Sequence, residues 1–226
     1  MFSEAFTYPK RDGWKPVIIA IVLMFLSILI IPLFILFGYF IQILGDTANG
    51  SDDPPAFDDW VGLLVQGAVG VVISFVYAIV PLILLFGFLL VVVGGDLATG
   101  DPGGASVAAL LLAAIAGFFA MLLIAYLLPA ALTNYATTGS IGAAFDFGTL
   151  RSYWTSPDYL IAILVGVGIN VAFGIVSNIL VATIVLIPLA FPIAVYGTLV
   201  AYRVWGSGFR TAAANRTGAS SGPATA

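Results

Sequence analysis

Apolar residues in this chain come in long unbroken runs rather than in alternation. Residues 16–44, 61–94, 105–132 and 158–205 are each almost continuous hydrophobic stretches, separated by polar pieces at 45–60, 95–104 and 133–157. A membrane-crossing helix needs about 20 apolar residues, whereas a barrel strand would show about ten residues of alternation. In hydrocarbon a backbone must satisfy its own hydrogen bonds, so such runs predict helices. The run 158–205 is too long for one pass and is divided near Asn178–Thr183. Prolines at 32, 81 and 129 are expected to break or bend the first three segments. The pattern predicts an all-α, polytopic membrane fold with about five hydrophobic segments and four to six passes. Amphipathic interfacial helices are expected near residues 4–14, 56–66 and 141–153, where aromatic and charged residues stand together. Residues 1–205 read as a single membrane domain. Residues 206–226 are mostly Gly, Ser, Thr and Ala, with Phe209 as their one large apolar residue, and read as a disordered polar tail.

Parts of the chain resemble one another. Ile31-Pro32-Leu33 precedes Phe37-Gly38-Tyr39, Val80-Pro81-Leu82 precedes Phe86-Gly87-Phe88, and Ile187-Pro188-Leu189 is a looser third copy. Two readings stand: a duplicated unit of interfacial helix plus bent span, or coincidence in a compositionally simple sequence.

Composition agrees with the membrane reading. The 226 residues are 62% hydrophobic and 8% charged, too little charge to cover a water-soluble surface. The run after Lys10, Arg11 and Lys15 is too long for the core of a signal peptide and reads as a membrane segment. There is no Cys and no His, which removes disulfides, thiolate chemistry and imidazole-based metal sites. Ten of the eleven acids are Asp, only two of the seven bases are Lys, and the pI is about 4.4. Such loops suit concentrated salt, where self-repulsion is screened, and point to a halophilic source. Bases at both ends (Lys10, Arg11, Lys15; Arg203, Arg210, Arg216) place both ends in the cytoplasm, which requires an even number of passes. With five segments counted, one is re-entrant or divided. The base-free acidic loop 45–60 reads as external.

Candidate chemistry is sparse. Asp52, Asp53, Asp58 and Asp59 form the one dense acidic group, without the spacing of a cation-binding loop. Gly94-Gly95, Gly100 and Gly103-Gly104 lack the Lys-Ser/Thr of a phosphate loop and read as turn glycines. No carboxylate, Lys or His stands inside a segment away from its ends, so an ion-coupled relay has no components. The clearest pattern is a small or polar residue at every fourth position: Gly62, Gln66, Gly70, Ser74 and Ala78 in the second segment, and Ala162, Gly166, Asn170, Gly174, Asn178 and Ala182 in the fourth. Such a row occupies one helix flank and lets backbones approach. The expectation is that Gln66, Gly70 and Ser74 pack against Gly166, Asn170, Gly174 and Asn178. The alternative is a polar path lined by Gln66, Asn170 and Asn178.

Tyr8-Pro9-Lys10, Pro32 with Gly38-Tyr39, residues 55–60 (Pro-Ala-Phe-Asp-Asp-Trp), Tyr126-Leu127-Leu128-Pro129-Ala130, Ala144-Phe145-Asp146 and Ser156-Pro157-Asp158-Tyr159 recur in this order over residues 1–210. In this the chain resembles the multi-pass membrane family catalogued as domain of unknown function 4013, found in archaea and bacteria. The resemblance implies arginines just after Gly38-Tyr39, where this chain has Gln42 and Asp46. It implies no activity or catalytic residue. The sequence thus leaves a non-enzymatic scaffold or partner-binding module of the cell membrane, with a channel or transporter for a neutral or weakly polar solute as the alternative. No catalytic residue, cofactor, metal or nucleic-acid partner is expected. The bilayer, other membrane proteins or further copies of the chain are the expected partners.

Overall fold

The computed structural model describes residues 2–11, 13–26, 29–99, 104–183 and 186–220. These residues form α1 (Phe2–Thr7), a 3-10 turn at Tyr8–Lys10, α2 (Lys15–Phe25), α3 (Ile30–Ala48), α4 (Trp60–Thr99), α5 (Gly104–Thr138), a 3-10 turn at Ile141–Phe145, α6 (Phe147–Trp154), α7 (Pro157–Ala182) and α8 (Ile187–Ser220). There is no strand among them. Five helical stretches are long and apolar enough to cross a membrane: Ile30–Ala48, Trp60–Ile79, Ala109–Thr138, Pro157–Ala182 and Ile187–Asn215. The all-α polytopic expectation holds.

The first apolar segment is not one bent span. It divides into α2 and α3, and the division falls just before Pro32. Proline lacks the N–H that would bond the carbonyl four residues earlier, and its ring crowds that carbonyl, so Pro32 is well placed in the first turn of a helix that begins at Ile30. With 11 residues, α2 is about 16 Å long, half of a hydrocarbon core of about 30 Å. It lies along α3 in one apolar cluster with Tyr8, Val17, Ala20, Leu23, Leu36, Tyr39 and Ile43. Its deep end places Phe25 beside Phe191 near the start of α8, ring centroids 4.8 Å apart. Its other end leads back to Arg11, whose guanidinium donates to the Asp52 carbonyl at 3.0 Å. The N-terminal arm and the loop after α3 therefore share one face, and α2–α3 is a helical hairpin. This corrects the expectation that the arm and the loop 45–60 lie on opposite sides. Apart from α3, the helices long and apolar enough to cross a membrane lie in α4, α5, α7 and α8.

Other boundaries move as well. No separate helix covers 56–66: Trp60 opens α4 directly, and the Asp59 carboxylate accepts the Gly62 N–H at 2.8 Å as its N-cap, a common stabiliser of a first turn. Interfacial helix 141–153 appears as a 3-10 turn and α6, capped by Asp146, which accepts from the Thr149 hydroxyl at 2.7 Å and N–H at 3.2 Å. Those bonds hold the Asp146 carboxyl below its usual range, so the cap is intact above about pH 4 and is lost as pH falls through that lowered value. Pro32 and Pro188 stand in the first turns of α3 and α8, whereas Pro81 is mid-helix in α4. The three look-alike motifs thus do not occupy equivalent places. Residues 95–99 of the expected Gly/Asp/Pro loop continue α4 and Gly104 opens α5, and residues 100–103 lie outside the described residues.

The tail is a further correction. α8 continues past 205 to Ser220, with Phe209 only 5% exposed and stacked on Tyr153 of α6 at 3.8 Å between centroids. The small residues that suggest flexibility are packing residues: Ala212 is buried, and a Cβ at Gly208 would overlap that of Ala162 on α7. Residues 221–226 lie outside the described residues.

Residues 1–71 and 129–226 form one compact unit, and residues 72–128 a second. The first is built on the antiparallel pair α7–α8 with the α2–α3 hairpin against α8. The second is the later part of α4 with the earlier part of α5, where a Cβ at Gly117 would sit in ordinary contact with Leu85, at 3.5 Å. Phe86, Leu111 and Phe118 of that unit are at least 60% exposed, which suits a lipid surround.

Candidate functional site

The polar chemistry of the first unit gathers at the face shared by the N-terminal arm and the loop after α3. Its centre is Arg203 of α8, whose side chain is 12% exposed. Its guanidinium donates to Thr47 Oγ1 at 3.1 Å, to the Ser51 carbonyl, and to Asp52 Oδ1 at 2.9 Å. It also lies over the Tyr8 ring, 4.6 Å from the centroid, a favourable cation–π position. A planar fork of donors is what such a multi-partner joint requires, and lysine could not supply it. One side chain thus joins α8, the end of α3, the following loop and the N-terminal arm. The Tyr8 hydroxyl is buried, with no hydrogen-bond partner among the described residues. Burial pushes its pKa up to about 12, against the opposing pull of Arg203, so the ring is neutral at physiological pH.

Beside this joint, a cavity of about 580 Å³ opens between the end of α3, the start of α4 and the end of α5, with Gln42, Asp46, Asp59, Gln66 and Tyr135 in its wall. Glycines let the walls approach. A Cβ at Gly45 would come within 2.9 Å of that of Ala136. Deeper, Gly38 of α3 and Gly67 of α4 face each other so closely that a Cβ on Gly38 would overlap the Leu63 carbonyl oxygen, and one on Gly67 that of Phe34. This backbone contact draws α3 and α4 together where no hydrophobic drive exists between spans. Sequence reading named Gly38 only as part of a recurring motif, and passed over Gly67, which adjoins the row of Gln66 without belonging to it.

The residues singled out from the sequence do not form one site. Gln66 lines the cavity, and Gly70 faces Ile41 and Phe37 of α3 rather than α7. Ser74 belongs to the second unit. Gly166 does lie at a helix contact, but with α8: a Cβ there would overlap the Trp205 indole, whose Nε1 donates to the Ile163 carbonyl at 3.4 Å. Asn170 donates to the Gly166 carbonyl at 3.3 Å and accepts from Thr198 of α8 at 3.5 Å. Around Gly174 no atom lies within 4 Å of a Cβ position. Asn178 donates back to the Gly174 carbonyl at 2.8 Å and is exposed. The expected pairing of the second and fourth segments is replaced by α3 with α4 and α7 with α8. Gly197→Leu, which would collide with Phe173, is therefore expected to lower stability in detergent by ~2–3 kcal/mol as an overpacked contact, whereas Gly174→Leu is expected to be nearly neutral. Unfolding of both variants in mixed micelles checks this.

The acidic loop also divides by role. Asp52 pairs with Arg203 and, at 4.0 Å, with Arg11, and Asp59 caps α4. Among the described residues no group of three acidic side chains could hold a metal ion.

Fold and site together define a polytopic, all-helical membrane protein. The chain belongs to the family described as Protein of unknown function (DUF4013), which matches residues 23–182. The match leaves out the N-terminal arm, including the Tyr8-Pro9-Lys10 motif, and all of α8, so Arg203 lies beyond it. No curated protein and no solved structure matches the chain.

Proposed function

We propose that the protein is a non-enzymatic scaffold of the cell membrane that presents its polar face to the cytoplasm. The observation that carries this reading is the separation of the polar side chains: Asn170 is bonded across α7–α8, Asn178 is bonded within α7, and the cavity that holds Gln66 includes neither. A translocation path would need these groups in one continuous lining. The orientation rests on charge. Lys10, Arg11, Lys15, Arg151, Arg203, Arg210 and Arg216 all fall on elements that meet at this face, while the sequence from 72 to 128 contains Asp96 and Asp101 and no base. Basic residues favour the cytoplasmic side. The Asp-rich, Lys-poor composition of the same face fits a source in concentrated salt.

A second reading has one observation in its favour. The cavity with Gln42, Asp46, Gln66 and Tyr135 is large and polar enough to admit a small neutral solute. Light-scattering of proteoliposomes under osmotic shocks of glycerol, erythritol or urea separates the two. The scaffold reading predicts permeability equal to that of empty liposomes. Protein-dependent flux that Gln66→Leu abolishes would replace it with the transporter reading.

A further inference from the structure

A second cavity, of about 320 Å³, lies between α7 and α8 near α1. Its wall carries polar side chains, Arg203, Arg210, Asp52, Asp158, Ser207 and Thr211, together with the apolar Ile161, Val165 and Val204. The charges are not equivalent. Arg203 and Asp52 neutralise each other at 2.9 Å. Asp158 accepts the neutral amide of Asn215, at 2.6 Å, and has no cationic partner among the described residues. Arg210 is exposed and makes no ion pair among the described residues. Among the described residues the wall therefore offers one guanidinium outside any ion pair, one carboxylate without a cation, and two hydroxyls whose protons go to the Val204 and Ser207 carbonyls. Of the apolar wall residues, Ile161 is 57% exposed.

We propose that this cavity binds the head of a zwitterionic phospholipid, with its phosphate on Arg210, its ammonium on Asp158 and the start of an acyl chain along Ile161 and Val165. A guanidinium fork suits phosphate oxygens, and charge-assisted bonds of this kind are the strong ones. A head with both charges leaves neither wall group unpaired, whereas a purely anionic head would set its charge beside the Asp158 carboxylate. The apolar part of the wall argues against a free phosphate ion, which gains nothing from Ile161 or Val165. This inference needs only that the protein sits in a bilayer, and stands whether the scaffold or the transporter reading holds.

Native mass spectrometry of the full-length protein, delipidated in detergent, tests it. The probes are short-chain phosphatidylethanolamine, short-chain phosphatidylglycerol and inorganic phosphate. The expected result is retention of the ethanolamine lipid about tenfold more tightly than the glycerol lipid, a difference of about 1.4 kcal/mol, with no competition from phosphate at equal concentration. Arg210→Gln is expected to weaken both lipids about tenfold, and Asp158→Asn to weaken the ethanolamine lipid alone. Both side chains lie at the exposed face, and melting in detergent verifies that each variant is folded. Should either variant not fold, Arg210→Lys, which keeps the charge but not the fork, is expected to weaken both lipids by a smaller factor. Equal retention of the two lipids, insensitivity to the substitutions, or displacement by phosphate alone would each overturn the proposal.

Discussion

Replacing Gly38 or Gly67 with alanine is expected to be the most damaging small change that the membrane helices can suffer. At each position the new methyl group would coincide with a backbone carbonyl of the facing helix, the Leu63 oxygen for Gly38 and the Phe34 oxygen for Gly67. A side-chain obstacle can rotate away, but a carbonyl held in a helix cannot. The two helices must separate, and the packing of Leu36, Tyr39 and Leu63 in the buried cluster goes with the contact. Overpacking commonly costs about 1–3 kcal/mol, and an obstacle made of backbone puts these variants at or above the upper end. The double variant is expected to cost less than the sum of the two, because the first substitution already opens the crossing. Gly174→Ala gives the contrast. It faces open space and gains about 1 kcal/mol of helix propensity, so it should stabilise slightly or do nothing. Unfolding in mixed detergent micelles, with wild type alongside, reads all four.

Arg203→Ala should have the second largest effect. The side chain is almost buried, and its removal leaves Thr47 Oγ1, the Ser51 carbonyl and the Asp52 carboxylate without their donor and Tyr8 without its cation. Breaking a fully buried pair costs about 3–5 kcal/mol. Asp52 is 68% exposed and rehydrates, which brings the expected loss down to ~2–3 kcal/mol. Asp52→Asn removes only the exposed partner and should cost less than about 1 kcal/mol. Arg203→Lys should fall between, since one ammonium cannot reach three partners in different directions. Because Arg203 ties the N-terminal arm down, Arg203→Ala should also speed proteolysis of residues 1–14 in detergent, and Asp52→Asn should do so less.

The helical, membrane-embedded class was legible from the sequence because it depends on composition and run length, and both are properties of residues in order. The division of 158–205 was legible for the same reason: no single span needs so many residues. The hairpin was half legible. An even pass count required one irregular segment, but the run 16–44 differs from a bent span only in whether its two halves continue or turn back. That choice is made by contacts distant in sequence, Phe25 with Phe191 and Arg11 with Asp52. Four-residue spacing showed that Gly70, Gly166 and Gly174 share helix flanks with their row neighbours, yet it held no information about which helix faces each flank. Gly166 meets α8, Gly70 meets α3 and Gly174 meets nothing. Gly206, Gly208 and Ala212 misled in the opposite direction, since small residues mark both flexible tails and close helix contacts, and only the partner, α3 for Gly206 and α7 for Gly208, separates the two. Arg203 was visible as a charge near the end of a segment and served only to orient it. Its role as a joint needs the loop and the arm that reach it.

The helical hairpin is the claim on which the topology and the cytoplasmic placement of the polar face both depend. The chain has no cysteine, so single cysteines at Thr7 and Asn49, both exposed, report the two sides of the hairpin without background. A membrane-impermeant maleimide is applied to intact cells and then to permeabilised ones. The prediction is that neither position reacts in intact cells and both react after permeabilisation. Reaction of one position but not the other in intact cells would show that the first apolar segment crosses the membrane, and would contradict the hairpin.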